Sequence, residues 1–260
     1  MSAPRVAVII PTRNRPALLP RAVRSALRTG IAEVVVVDDG SDPPVDLSGV
    51  ADPRLRVVRQ PPSTRGVCAS RNRGMAESTA SHLVFLDDDD RLAPLAGRWY
   101  RRMAKACGSD RIAVGAVVVE APGRWPQLRR PPSSRRGEIW GLDRHLLAGG
   151  RDFATKQAAL VPRGLIEAVG GWDEELLSRT ASELFFRLTA RADVEGHRWP
   201  VYCLNRGSHD RITADPALRE RSAAYLRGKH AALLGDPDRR AAFEASHAEV
   251  AQRLAAGRSG

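Results

Sequence analysis

The densest chemistry in the 260-residue chain is the run Asp87-Asp88-Asp89-Asp90, delivered directly by the apolar segment Leu83-Val84-Phe85-Leu86. Four adjacent carboxylates raise one another's pKa unless a cation sits among them. Oxygen ligands with no neighbouring Cys or paired His suit a hard divalent ion, Mg2+ or Mn2+, which keeps positions open for phosphate oxygens. An ion so placed neutralises a departing diphosphate. A second cluster, Asp38-Asp39-Gly40-Ser41, offers acceptors to a base or ribose, and its glycine permits a tight turn. A third, Thr12-Arg13-Asn14, follows the apolar run Val6-Ala7-Val8-Ile9-Ile10-Pro11. The plain alternatives are a solvated acidic turn and an ordinary Asp-Gly turn. The apolar segments feeding the clusters, and the common position of the three, argue for a site.

Such clusters need a scaffold, and the hydrophobic pattern supplies one. The runs at Val6 to Ile10 and Val34 to Val37 are too short for helices and read as strands buried on both faces. Between them, Pro16 to Thr29 carries Leu18, Leu19, Val23, Ala26 and Leu27 at helical spacing, with Gly30 as its stop. Strand, helix and strand in about 30 residues form a βαβ unit, hence a parallel sheet with a right-handed crossover. Leu55 to Val58 adds a strand, Cys68 to Ser78 a helix, and Leu83 to Leu86 a further strand. All three polar clusters then fall at the carboxyl ends of strands, where open α/β sheets collect ligands.

Farther on, Leu95 to Cys107 reads as a helix, Ala113 to Glu120 as a strand, and Ala121 to Arg136, rich in Pro, Arg and Ser, as a surface loop without periodicity. A strand at Ala158 to Val161, closed by Pro162, leads into a short helix ending at Gly170-Gly171. Leu184 to Ala190 is helical, a loop carries His209, and Pro216 to Ala256 is helical apart from a break at Gly235-Asp236-Pro237.

The formal net charge of +11 comes mostly from arginine spread along the chain, with crowding at Arg124 to Arg136. No aromatic-interleaved basic stripe or helix-turn-helix pattern accompanies it, which argues against nucleic acid and leaves an anionic small substrate or peripheral contact with a membrane. No apolar run reaches spanning length and no leader pattern opens the chain, so a cytoplasmic protein is expected. Cys68, Cys107 and Cys203 lack paired spacing and read as small buried hydrophobes. No motif speaks to oligomeric state.

Four segments in order, Val8-Ile9-Ile10-Pro11-Thr12-Arg13-Asn14-Arg15, Val35-Val36-Val37-Asp38-Asp39-Gly40-Ser41, Ala69-Ser70-Arg71-Asn72-Arg73-Gly74 and Phe85-Leu86-Asp87-Asp88-Asp89-Asp90, resemble the signature of family 2 glycosyltransferases. The likeness covers residues 5 to 95 strongly and continues more loosely through Gly170-Gly171-Trp172-Asp173-Glu174 to His209. It implies an α/β, GT-A (Rossmann-like) three-layer domain with a mostly parallel central sheet and a C-terminal helical extension. The expected division is a nucleotide-sugar half at 1–120, an acceptor half at 121–215 and the extension at 216–260. The implied activity is inverting, metal-dependent transfer of a sugar from a nucleoside diphosphate sugar, by family habit a UDP- or dTDP-sugar, to an acceptor that is a saccharide, a lipid-linked group or a natural product.

Carried over residue by residue, the resemblance has Pro11, Thr12 and Asn14 line the nucleotide pocket and Asp39 pair with the base. It puts Arg65 or Arg71 near the base or diphosphate, Asp88 on the ribose with Asp87 in support, and Asp89 on the metal, Mn2+ or Mg2+. His209 resembles a C-terminal histidine that relatives bring to the metal or phosphates. Asp90 is expected to cap the next segment.

One departure bears on catalysis. An inverting transferase needs a carboxylate to take the acceptor proton, and relatives place a Glu-Asp pair where this chain has Thr180-Ala181. Glu183 is the nearest acid and the expected proton acceptor, with Asp173 as runner-up. Two other readings stay open: a nucleotide-sugar-binding protein that has lost transfer, and a nucleotidyltransferase. The latter would open with a Gly-rich phosphate loop, which Pro11-Thr12-Arg13-Asn14 is not.

Overall fold

The computed structural model describes residues 3–64, 66–131, 139–140, 156–207 and 215–256. Among them are ten strands: β1 (Val6–Thr12), β2 (Glu33–Asp38), β3 (Leu55–Arg59), β4 (His82–Phe85), β5 (Arg91–Leu92), β6 (Ile112–Glu120), β7 (Gln127–Arg129), β8 (Ile139–Trp140), β9 (Ala159–Pro162) and β10 (Val194–Asn205). The helices are α1 (Leu19–Arg28), α2 (Val67–Ala76), α3 (Ala96–Cys107), α4 (Arg163–Ala168), α5 (Thr180–Thr189), α6 (Pro216–Lys229) and α7 (Pro237–Ala256).

One sheet runs β3-β2-β1-β4-β9-β6-β10-β5, with β7 on β6 and β8 on β10. β1, β2, β3, β4, β6 and β10 all run one way, so the sheet is mostly parallel, as expected. Alternation along β1 explains its unbroken apolar run. Val6, Val8 and Ile10 face the cluster built by α1 and α3, while Ala7 and Ile9 face the one containing Cys68 of α2, Ile166 of α4 and Leu184 of α5. The sheet is therefore the middle of three layers. Each such fully buried Val, Leu or Ile contributes roughly 1.5–3 kcal/mol. α2 lies so close to β1 that a Cβ at Gly74 would sit 2.4 Å from Ile9 Cγ2.

The C-terminal helices pack on α5 and the turn before it through Phe186 and Leu176, which meet Ala223, Leu226, Leu234 and Phe243. Among the described residues no helix is long and apolar enough to cross a membrane.

Besides the two-residue strands β5 and β8, which the pattern did not show, three elements differ from the sequence expectation. β10, twelve residues long, was not foreseen, because its charged residues and Pro200 break the pattern and its pairing with β6 shifts register around Pro200. The segment expected as a loop at Ala121 to Arg136 contains β7, which folds back antiparallel on β6; residues 132–136 lie outside the described residues. α5 starts at Thr180, one turn before the expected Leu184, and so includes both Thr180 and Glu183.

Candidate active site

The parallel strands bring the three polar clusters to one edge. β1 pairs with β2 so that Pro11 faces Val37 and Thr12 faces Asp38, and β4 flanks β1 on its other side. Asn14 adopts a left-handed φ of 54°, which Asn tolerates better than most residues. The conformation is held by Asn14 N donating to Ser41 Oγ at 2.9 Å and Asp42 N donating to Asn14 Oδ1 at 2.9 Å. The loops after β1 and β2 are thereby tied together.

The two acids after β2 divide their work. Asp38 is buried and accepts from Ser41 N (2.7 Å), Val45 N (3.3 Å) and Arg59 Nη1 (2.7 Å). Burial works to raise its pKa, but the Ser41 bonds, the Val45 amide and Arg59 prevail and hold it below the usual carboxylate range. Asp39 accepts Gly66 N on both oxygens, at 2.9 and 3.1 Å, so the expected base-pairing residue also fixes the start of α2. Arg65, one residue earlier, lies outside the described residues.

Arg71 reaches from α2 into the acidic run. Its Nη2 donates to Asp87 Oδ1 at 2.8 Å, its Nη1 to Thr180 Oγ1 at 3.1 Å, and its guanidinium lies 4.4 Å from the Trp172 ring centroid. Trp172 is positioned by the neighbouring side chain Asn72, which accepts from Trp172 N (2.8 Å) and donates to Trp172 O (2.9 Å). Gly171 makes this contact feasible: its φ is +77°, and a Cβ there would stand 2.8 Å from Asn72 Oδ1. The Arg-Asn pair of α2 and the Gly-Gly-Trp turn, some hundred residues apart, thus form one unit.

Within the aspartate run the four acids differ. Asp88 accepts Thr12 Oγ1–H at 2.7 Å; burial, reinforced by Asp89 and Asp87, lifts its pKa to about 6 against the pull of Thr12. Asp90 is buried and accepts Tyr202 O–H at 2.8 Å and Asn205 N–H at 2.7 Å. It fastens the run to β10 and does not cap the following segment. Burial and its acidic neighbours push its pKa upward. Tyr202 Oη in turn accepts Asp87 N–H at 3.2 Å. Asp87, Asp89 and Asp90 each offer an oxygen within 4.8 Å of the others, an all-oxygen set that fits a hard divalent cation. Asp89, the expected metal ligand, is one member of that set. His209 lies outside the described residues.

The acceptor side carries the main correction. Glu183 is 0% exposed, and its carboxylate is gripped by Arg187 Nε at 2.7 Å and Arg187 Nη2, by Lys229 Nζ at 2.9 Å, and by His230 Nε2 at 3.3 Å. Burial opposes the charge, yet His230, Arg187 and Lys229 outweigh it and hold the carboxyl down to about 2. A carboxylate so enclosed is withheld from an acceptor hydroxyl, so the geometry makes Glu183 a fastening group and not the expected proton acceptor. Arg187 also donates to the carbonyls of Val169 and Gly171, anchoring the turn before Trp172.

Asp173, the runner-up, sits beside Trp172. Its Oδ2 accepts from Tyr225 Oη–H (2.9 Å) and Lys229 Nζ, and its Oδ1 from Glu175 N (3.1 Å). Burial again works upward, but the Lys229 and Tyr225 bonds keep its pKa below the ordinary value.

Sequence reasoning missed Thr180 as a partner of Arg71, Tyr202 and Asn205 as supports of the aspartates, and Lys229 as the cation shared by Asp173 and Glu183. The spacing of Glu183 and Arg187, four residues apart, could have signalled a helical ion pair. Tyr202 belongs to the strand that the pattern concealed.

Comparison with known proteins follows the same lines. The sequence profile described as Glycosyl transferase family 2 matches residues 7–169. A PGL/p-HBAD biosynthesis glycosyltransferase from Mycobacterium tuberculosis is 38% identical over 180 residues, spanning 66% of this chain and 65% of that protein. A pre-mycofactocin glycosyltransferase from the same species is 31% identical over 186 residues, or 70% of this chain and 38% of the relative. The chain therefore matches less than two thirds of the length of either relative. The structure of S. aureus TarS 1-349 in complex with UDP-GlcNAc superposes with a TM-score of 0.65 over 90% of this chain and 67% of that one, at 17% identity, which shows a shared fold.

Proposed function

The chain belongs to glycosyl transferase family 2, and from that premise we propose that it is an inverting transferase moving a sugar from a nucleoside diphosphate sugar, a UDP- or dTDP-sugar, to an acceptor hydroxyl. The observation that carries this reading is the meeting of Thr12, Asp39, Arg71 and the Asp87–Asp90 run at one sheet edge. The likeness to a fold described in complex with UDP-GlcNAc supports the donor class.

In this reading Pro11, Thr12 and Asn14 line the nucleotide pocket, Asp39 meets the base and Asp88 the ribose. Arg71, held flat by Trp172, presents positive charge to the diphosphate, a role for which the sequence also offers Arg65. Asp87 and Asp89, aided by Asp90 and by His209, would hold Mn2+ or Mg2+, whose charge would offset that of the leaving diphosphate. As the acceptor oxygen bonds to the anomeric carbon and the bond to the diphosphate breaks, the acceptor proton passes to Asp173, which lies next to Trp172. Asp173→Asn should lower kcat by two orders of magnitude or more and leave donor affinity unchanged; near-normal turnover would remove Asp173 from this role.

The acceptor side faces an anionic or lipid-linked acceptor in this proposal. The turn joining β6 and β7 carries Trp125, 92% exposed, beside Arg124, with Arg129 and Arg130 following, a combination suited to an anionic membrane surface. Trp125→Ala should weaken cosedimentation with anionic vesicles severalfold; unaltered binding would count against that contact. The three cysteines are free and buried, which suits the cytoplasm.

The decisive test is a melting curve with UDP- and dTDP-sugars, with and without Mn2+. A ligand at 100 times its Kd stabilises by about 2.7 kcal/mol, equivalent to several degrees for a chain of this size. Asp89→Asn should abolish the Mn2+-dependent part, and no shift with any donor would overturn the proposal. A second reading, donor binding without transfer, is favoured by Thr180-Ala181 standing where the family resemblance implies an acidic pair and by the cation grip on Asp173 and Glu183. Detection of transfer to any acceptor excludes it.

A further inference from the structure

A second group of metal-ligating side chains lies where α3 ends and β10 begins, remote from the aspartates that meet the carboxyl end of β10. Cys107 Sγ is 3.5 Å from Glu195 Oε2 and 3.7 Å from His197 Nε2, and His197 Nε2 is 3.4 Å from Glu195 Oε1. Cys107 and His197 are buried, and the Glu195 side chain is 13% exposed. From His197 to Tyr202 the strand advances roughly 16 Å at ~3.3 Å per residue, so the two clusters do not share an ion.

The dimensions are those of a zinc site. With Zn–S of about 2.3 Å, Zn–N of about 2.05 Å and Zn–O of about 2.1 Å at tetrahedral angles, the S···N, S···O and N···O edges come to about 3.6, 3.6 and 3.4 Å. The Cys107–His197 and Cys107–Glu195 Oε2 separations match these edges, and His197 Nε2 meets the N···O length through the other carboxylate oxygen, Oε1, so a small turn of the carboxylate brings one oxygen to both. A thiol, an imidazole and one carboxylate form a borderline-soft set that favours zinc over the hard ions suited to the aspartates. A thiolate and a carboxylate bring two negative charges to a divalent ion, with the imidazole neutral and Arg111 adding one positive charge at the far side of the carboxylate.

The surroundings hold the ligands in place, as groups around a metal site do. The His197 ring stacks on Trp199 (5.3 Å, 12°), which stacks on Trp99 of α3 (4.8 Å, 1°). Arg111 Nη1 donates to Glu195 Oε2 at 2.8 Å and Arg111 Nη2 to Ala106 O at 3.0 Å, fixing the carboxylate against the end of α3.

We propose that Cys107, Glu195 and His197 form a zinc-binding site, with water as the fourth ligand, that staples the end of α3 to the start of β10. As the sulfur–metal bond forms, the Cys107 thiol proton leaves to solvent.

The test uses the full chain carrying Asp89→Asn, so that the aspartate run does not contribute, after chelator treatment and titration with Co2+ alone. One equivalent should produce the near-ultraviolet thiolate-to-cobalt band together with intense visible bands of tetrahedral cobalt, and Zn2+ should erase both. Cys107→Ser and His197→Gln should lose the thiolate band or its tetrahedral partner bands, while Cys203→Ser keeps them. A folded protein that gives no thiolate band, or a band that persists in Cys107→Ser, overturns the site. Should the variants not fold, alkylation of Cys107 in the otherwise unaltered protein decides, read by mass spectrometry. Stoichiometric Zn2+ should slow it at least tenfold, and an unchanged rate overturns the proposal.

Discussion

Replacing Glu183 with Gln separates a fastening carboxylate from a catalytic one. The side chain is fully buried and meets Arg187, Lys229 and His230. Its carboxyl is held at about 2 against an ordinary 4.5, and at ~1.36 kcal/mol per pKa unit this amounts to about 3 kcal/mol of stability at neutral pH. Breaking a buried ion pair by removing one partner costs about the same, roughly 3–5 kcal/mol. The sign follows from the folded pKa lying below the unfolded one. The contribution is fully present above about pH 4.5 and is lost as pH falls through about 2, so about half of it, ~1.4 kcal/mol, survives at pH 3. Urea unfolding of wild type and Glu183→Gln should therefore show a gap of about 3 kcal/mol at pH 7 that shrinks by about half at pH 3. Donor affinity and turnover of the folded fraction should change little. A variant as stable as wild type at pH 7 but devoid of transfer would refute the reasoning and return Glu183 to the role of proton acceptor.

Two further substitutions probe the supports of the site. Gly171→Ala forces a left-handed φ on an L-residue and sets a methyl group 2.8 Å from Asn72 Oδ1; a loss of about 1–3 kcal/mol is expected by denaturant titration, together with a weaker donor-induced melting shift as Trp172 loosens from Arg71. Tyr202→Phe removes the hydroxyl that joins Asp87 N to Asp90. Unpaired buried groups cost about 1–3 kcal/mol, so the melting temperature should fall by several degrees and Mn2+-dependent donor affinity severalfold, whereas equal affinity would show that the aspartates hold their geometry without β10.

The donor side was legible because its information is local. Apolar runs at β1, β2 and β4 each end in the polar cluster they deliver, and a parallel sheet obliges such ends to converge. The acceptor side was not, because its contacts join residues distant in sequence: Asn72 with Trp172, Asp90 with Tyr202, and Glu183 with Lys229. The pattern showed an acid near the helix start and could not show that Arg187, Lys229 and His230 surround it. β10 escaped for a related reason, since Glu195, His197, Arg198 and Pro200 serve a packed edge and a register shift and so hide its strand period.

The Thr180-Ala181 departure acquires a physical meaning from Arg71. A carboxylate at 180 would stand where the Thr180 hydroxyl now accepts from Arg71 Nη1, and would compete with Asp87 for the same guanidinium. A neutral hydroxyl accepts the hydrogen bond without taking the charge, so Arg71 stays directed at Asp87 and at whatever anion approaches it. The negative charge of the acceptor side is displaced instead to Asp173 and Glu183, where Lys229 of α6 balances both. The C-terminal extension is thereby part of the electrostatics of the site, because removing α6 would leave the buried Glu183 and the half-buried Asp173 short of a cation while the contacts among Thr12, Arg71 and the aspartate run stayed in place.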